Sequence, residues 1–165
     1  MVAAAGLAAL TTREVGWDAT AVILAVGAAA VLMPHDHPIP ARTDPRRWIS
    51  VVFLGALSFA AVRALIPTLT LPATATAVVT GSIAAVAEEA FFRRFLYGWL
   101  SRWGPAVAIV GSALAFAAVH VSLYGVAALP IDLGAGLLLG WQRWATGSWT
   151  APAVTHVIAN LLTLG

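Results

Sequence analysis

The chain has no cysteine and no lysine, and charge of either sign is scarce, with Asp, Glu, Lys and Arg making up 10% of its 165 residues. The missing cysteines exclude disulfides, thiol nucleophiles and cysteine metal sites. The scarcity of charge excludes a water-solvated surface, because soluble domains carry about 25% charged residues. The 61% of residues that are hydrophobic must therefore face something other than water, and mean hydropathy is +0.90. Missing too is the alternation of apolar and polar residues that marks a membrane β-barrel. The apolar runs are instead continuous and rich in Ala, Leu and Val. They predict an all-α, polytopic membrane helix bundle. At roughly 20 apolar residues per crossing, the chain has room for about six transmembrane helices.

All nine basic residues are Arg. A pI near 9.9 raises the question of nucleic acid, but the arginines are scattered and flank apolar runs. The rule that basic loops stay in the cytoplasm accounts for them better, and no nucleic-acid partner is expected. Apolar residues Val2–Leu10 follow no basic segment, so a cleaved signal peptide is not expected. The expected spans are Ala19–Met33, Trp48 to about Ile66, Ala73 to about Arg102, Ala106–Leu123, Val126–Trp144 and Trp149–Leu164. No repeat or linker divides them, so residues 1–165 read as a single integral membrane domain. Basic residues follow the first span (Arg42, Arg46, Arg47), close the third (Arg93, Arg94, Arg102) and close the fifth (Arg143). The loops after the second and fourth spans have none. This alternation predicts cytoplasmic basic loops and both termini outside, with Arg13 the exception. Trp17, Trp48, Trp99, Trp103, Trp144 and Trp149 fall at span ends, as an aromatic belt does.

Few strongly polar groups remain inside the spans: Glu88, Glu89, Arg93, His120, Asp132, His156 and Asn160. Glu88 and Glu89 stand out, because nothing from Ala64 to Ala87 carries a charge. One charged side chain at the centre of a membrane helix costs roughly 2.5–3.5 kcal/mol on insertion scales, so two side by side call for a function. Depth says which groups can meet. Spans three and four form a hairpin turning at Trp103–Gly104. Glu88 lies 15 residues before Trp103 and His120 lies 16 after Gly104, which puts both ~22–24 Å from the turn. His156 and Asn160, ~10 and ~16 Å along the sixth span, sit somewhat shallower and share one helix face. Glu89 and Arg93 have i, i+4 spacing and can pair. Asp132, beside Pro130 near a span end, reads as a cap or interfacial group. His35 and His37, in a proline-rich loop without a third ligand, read as solvated.

A buried carboxylate beside a neutral imidazole suits general base catalysis, and a second His–Asn face could hydrogen-bond a developing oxyanion. Together these parts describe water-mediated amide hydrolysis inside a membrane. Glu88, His120 and His156 could also form a His₂Glu set for a divalent metal such as zinc, although no His-Glu-x-x-His helix is present. The residues alone do not separate the two chemistries.

Three segments resemble one family. Glu88-Glu89-Ala90-Phe91-Phe92-Arg93 resembles the Glu-Glu-x-x-x-Arg motif of the CPBP intramembrane proteases (CAAX protease and bacteriocin-processing, or Abi). Phe116-Ala-Ala-Val-His120 is similar to its Phe-x-x-x-His motif, and His156-Val-Ile-Ala-Asn160 to its His-x-x-x-Asn motif. The resemblance covers roughly residues 73–165. It implies an intramembrane endopeptidase related to the type II CAAX prenyl endopeptidases, which release the tripeptide after a prenylated Cys. It implies that Glu88 activates water with help from His120, that Glu89 and Arg93 orient the site, and that His156 and Asn160 stabilise the oxyanion. The implied mechanism needs no cofactor. Implied partners are the lipid bilayer and a peptide or lipidated-protein substrate, and the expected location is a bacterial cell membrane. Arg94 departs from the pattern, since many members have Gly there. Two other functions fit the polar residues: a non-catalytic membrane scaffold or immunity protein of the same fold, and a proton-coupled transporter. Six spans are few for a transporter, and no pair of broken helices in matching halves is visible.

Overall fold

A computed structural model describes residues 44–65 and 73–164, together with Ala29. Apart from Ala29, the expected first span lies outside the described residues, as do the N-terminal polar break and the His35–His37 loop. Among the described residues every regular element is a helix. Helix α1 spans Pro45–Leu65 and α2 spans Ala75–Glu89. The chain then widens into a π-helical turn, Ala90–Leu96, and narrows again through α3, Tyr97–Leu100, to a 3₁₀ turn at Ser101–Trp103. Helices α4 (Pro105–Tyr124), α5 (Leu129–Thr146) and α6 (Thr150–Leu161) complete the bundle. Residues Ala75–Trp103 form one path of 29 residues, and with Pro45–Leu65 they are, among the described residues, the two helices long and apolar enough to cross a membrane. Pro105–Val121 is a shorter apolar helix.

Local chemistry sets the helix ends. Thr74, in extended backbone, accepts a hydrogen bond from the Ala77 N–H at 3.1 Å and caps α2, as expected for a hydroxyl residue at this position. Asp44 caps α1 by accepting from the Arg46 N–H at 3.0 Å. At the turn between α3 and α4, Gly104 has φ of 101°, a conformation open to glycine and costly for other residues. Pro105 follows as the first residue of α4, where its missing N–H leaves no bond unmade.

Helix α4 packs along α5, α2 along α6, and α1 against both α5 and α6. The α4–α5 seam depends on Gly136, where an added Cβ would stand 2.9 Å from the Ala113 Cα. Small residues at such a seam let helices approach where hydrocarbon gives no hydrophobic driving force. The bundle buries its strongly polar groups among small apolar and aromatic residues and turns large apolar residues outward. Glu89, Arg93, His120, Asp132, Gln142, Thr155, His156 and Asn160 are buried, whereas Ile49, Phe53, Leu57, Val79, Ile83 and Leu114 are exposed. That distribution inverts the one found in water and matches hydrocarbon as the surrounding medium. Gln142 shows how the interior is tied together. Its Nε2 donates to the Val51 carbonyl at 2.8 Å and to Thr155 Oγ1 at 3.0 Å, joining α5 to α1 and α6.

Candidate active site

Glu88 and Glu89 close α2 immediately before the π turn. π turns are rare and occur most often at functional sites. Glu89 Oε1 accepts from Arg93 Nη1 at 2.9 Å, and both side chains are sealed from solvent. The same oxygen lies 2.9 Å from His156 Nδ1. Since a carboxylate oxygen can only accept, His156 carries its proton on Nδ1 and donates it to Glu89. The other ring nitrogen, Nε2, faces Glu88 Oε2 at 3.9 Å and offers a lone pair when the ring is neutral.

His120 repeats the arrangement from α4. Its Nδ1 lies 2.8 Å from the Phe116 carbonyl, which can only accept, so the proton again sits on Nδ1. Its Nε2 faces Glu88 Oε2 at 3.7 Å. Both separations exceed hydrogen-bonding distance, and Glu88 Oε2 is a buried oxygen without a hydrogen-bond partner among the described residues. Two imidazole nitrogens and one carboxyl oxygen thus face one point, and with neutral rings all three can accept. Water, with two O–H donors, is the small molecule that satisfies such a group, and polar contacts longer than about 3.5 Å are commonly bridged by one.

Phe116 organises the aromatic side of the site. Its ring stacks on His120 at a centroid distance of 4.1 Å, and the Arg93 guanidinium lies 4.6 Å from its centroid. Arg93 Nη2 also donates to the Gly136 carbonyl at 3.2 Å, which anchors the π turn to α5. Asn160, one turn beyond His156, donates from Nδ2 to the Gly81 carbonyl at 3.1 Å and ties α6 to α2. Arg94 packs over Trp149 at 6.0 Å.

The structure brings Glu88, Glu89, Arg93, His120 and His156 together, and it bonds Asn160, one turn beyond His156, to the Gly81 carbonyl. Asp132 differs from its expected interfacial or capping place. It is buried in the first turn of α5, and Oδ2 has no partner among the described residues. Sequence reasoning missed Gly136 and Arg143. Arg143 read only as a topology marker, although its Nε donates to the Arg93 carbonyl at 3.1 Å. The spacing Gly136-x-x-x-Gly140 was the available signal for a close helix seam. Among the described residues no group of three or more His, Asp or Glu is set at metal-ligating distances, while Glu88, His120 and His156 are the side chains that would hold a divalent metal.

A lipid-facing helical bundle around a paired-carboxylate, two-histidine centre defines the class: a helical membrane protein with a polar site suited to acid–base chemistry. The Rce1-like type II CAAX prenyl endopeptidase family matches residues 68–162, more than half of the chain, and the chain belongs to that family. It is thereby a member of a family of integral membrane proteases. No curated protein and no solved structure matches the chain significantly.

Proposed function

We propose that the protein is an intramembrane endopeptidase in which Glu88 activates water for attack on a peptide bond near the membrane. The observation that carries this reading is the convergence of His120 Nε2 at 3.7 Å and His156 Nε2 at 3.9 Å on Glu88 Oε2. Water bound there donates one proton to Glu88 and the other to an imidazole, which leaves an oxygen lone pair for the substrate carbon. As the C–O bond forms, Glu88 takes the proton. Glu89 supports a transient positive charge on His156 through the Nδ1–H bond, the part an aspartate plays behind a catalytic histidine. Glu88 passes that proton to His156 Nε2, and the tetrahedral oxyanion is stabilised by the resulting imidazolium and by Asn160. Asn160 Nδ2 has two N–H donors, and one of them is used on Gly81. Collapse breaks the C–N bond, and the proton held at the site passes to the departing amine.

In this reading the chain is one integral membrane domain of six spans, with the basic helix ends on the cytoplasmic side of a bacterial cell membrane. Supporting it, Arg46 and Arg47 open α1, Arg102 lies in the 3₁₀ turn after α3 and Arg143 lies in the last turn of α5, while Arg63 closes the opposite end of α1. The family description supports a peptide ending in a prenylated Cys-aliphatic-aliphatic-X sequence as the first substrate to test. Reconstituted in vesicles with that peptide, the wild-type protein should cleave it, and Glu88→Ala and His120→Ala should not, while both variants still insert and fold. Cleavage by a purified Glu88→Ala protein removes Glu88 from the mechanism. A strong chelator should leave the rate unchanged; loss of activity restored by zinc would instead make Glu88, His120 and His156 metal ligands.

A further inference from the structure

We propose that Arg143 is a positioning residue of the site: its Nε–H, donated to the Arg93 carbonyl, holds the π turn in the register that aims the Arg93 guanidinium at Glu89. The function it serves rests on the peptidase reading above. Four observations carry it. Arg93 is attached to α5 twice, through its side chain to the Gly136 carbonyl at 3.2 Å and through its own carbonyl to Arg143 at 3.1 Å. Gly136 and Arg143 are seven residues apart, two helical turns, and so lie on one face of α5. The Gly136 face of that helix is pressed against the Ala113 backbone of α4, so α5 is a fixed template for the turn. Arg143 is itself fixed, its guanidinium lying 5.2 Å from the ring centroid of the buried Tyr97 at the first residue after the turn.

The physical need for such a pin follows from the turn. A π turn has i→i+5 bonds and is rare in isolation, because α geometry competes with it. Here the Tyr97 N–H bonds to the Phe92 carbonyl in the wide pattern. Relaxation to α geometry shifts the helix beyond Glu89 by one residue, about 100° of rotation. Glu89, four residues back, would stay within reach of Arg93 in α geometry, but the Gly136 carbonyl would not, so the ion pair would lose its anchor on α5. Without that anchor the Arg93 bond to Glu89 Oε1 is no longer held in one geometry, and neither is the carboxylate that orients the His156 ring. Arg143 touches none of the reacting groups, yet it acts on them through Arg93, Glu89 and His156 in turn.

The test compares Arg143→Met, which fills similar volume without a donor, with Arg143→Lys, which keeps charge and a donor. Full-length protein labelled with ¹⁵N-histidine is purified in detergent, and its thermal unfolding and the His156 ring ¹⁵N signals are recorded. The prenylated peptide above then gives kcat and KM. Expected for Arg143→Met are an unfolding midpoint near wild type, a changed His156 Nδ1 signal, unchanged KM and kcat lower by about 10–100-fold, the usual range for an outer supporting group. Arg143→Lys should restore most of both the signal and kcat. An unaltered His156 signal in Arg143→Met overturns the proposal. So does an Arg143→Met protein that fails to fold, since Arg143 is then a folding determinant. The nitrogen signals need no substrate, so a wild-type protein that cleaves nothing sinks the peptidase reading while this test still reports on Arg143.

Discussion

The two sides of the polar core meet between adjacent residues and are built differently. On the Glu89 side, one carboxylate oxygen takes charge-assisted bonds from Arg93 and His156, both at 2.9 Å, in a place closed to solvent. On the Glu88 side, the side chain keeps 16% of its surface, and the nearest imidazole nitrogens stand at 3.7 and 3.9 Å. The first side has the short, fixed contacts of a structural brace. The second has groups held close but out of contact, which leaves room for a reactant. Rigid support beside a loosely filled reactive position is how a site keeps its geometry while its chemistry changes hands.

Breaking each side should therefore give a different signature. The largest effect on rate is expected from Glu88→Gln, a loss of about 10²–10⁴-fold, the usual contribution of a positioned general base. Its thermal unfolding midpoint in detergent should match wild type, because no short bond is removed. A Glu88→Gln protein that unfolds as early as one altered at Glu89 would erase the distinction between the two sides.

The largest effect on stability belongs to the other side. Arg93→Met leaves Glu89 buried without its cation, at a cost of about 3–5 kcal/mol. Replacing both partners, in Glu89→Gln with Arg93→Met, should recover part of that loss in a double-mutant cycle, although activity stays low. Equal instability in the single and double variants would mean that the pair is not the brace inferred here.

The smallest expected effect sharpens the boundary between the sides. Asn160→Ala removes the bond to the Gly81 carbonyl, and interhelical bonds of this kind average about 0.6 kcal/mol in a membrane protein. A rate loss well beyond that stability change supports the proposed oxyanion role for Asn160. A rate loss that only tracks unfolding confines Asn160 to tying α6 to α2.

Much of this arrangement was legible along the chain. Helix rise is fixed, so counting from the Trp103–Gly104 turn put Glu88 and His120 at one depth, and they lie 3.7 Å apart. The same count left His156 shallower, yet it reaches within 3.9 Å of Glu88, because the third helical path extends to Trp103 before turning. The i, i+4 pairing of Glu89 with Arg93 follows from spacing alone. The π turn was not legible, because Ala90–Leu96 reads as ordinary apolar helix and the widening depends on partners from α5. Asp132 was misjudged for a related reason: nearness to a span end along the chain does not say whether a neighbouring helix covers it.

By itself the sequence determined the medium, the helical class and the identity of the polar groups that hydrocarbon forces inward, since these depend on composition and on local periodicity. It also determined their depth, because every helical residue advances about 1.5 Å. Only the tertiary structure decided which glutamate is braced and which stands open. It also decided which nitrogen of each histidine carries the proton, and that Asn160 faces Gly81. Those outcomes depend on the rotation of each helix about its own axis. That rotation is fixed by contacts between residues such as Arg93 with Gly136 and Arg143, or Gly136 with Ala113, which are distant in the chain.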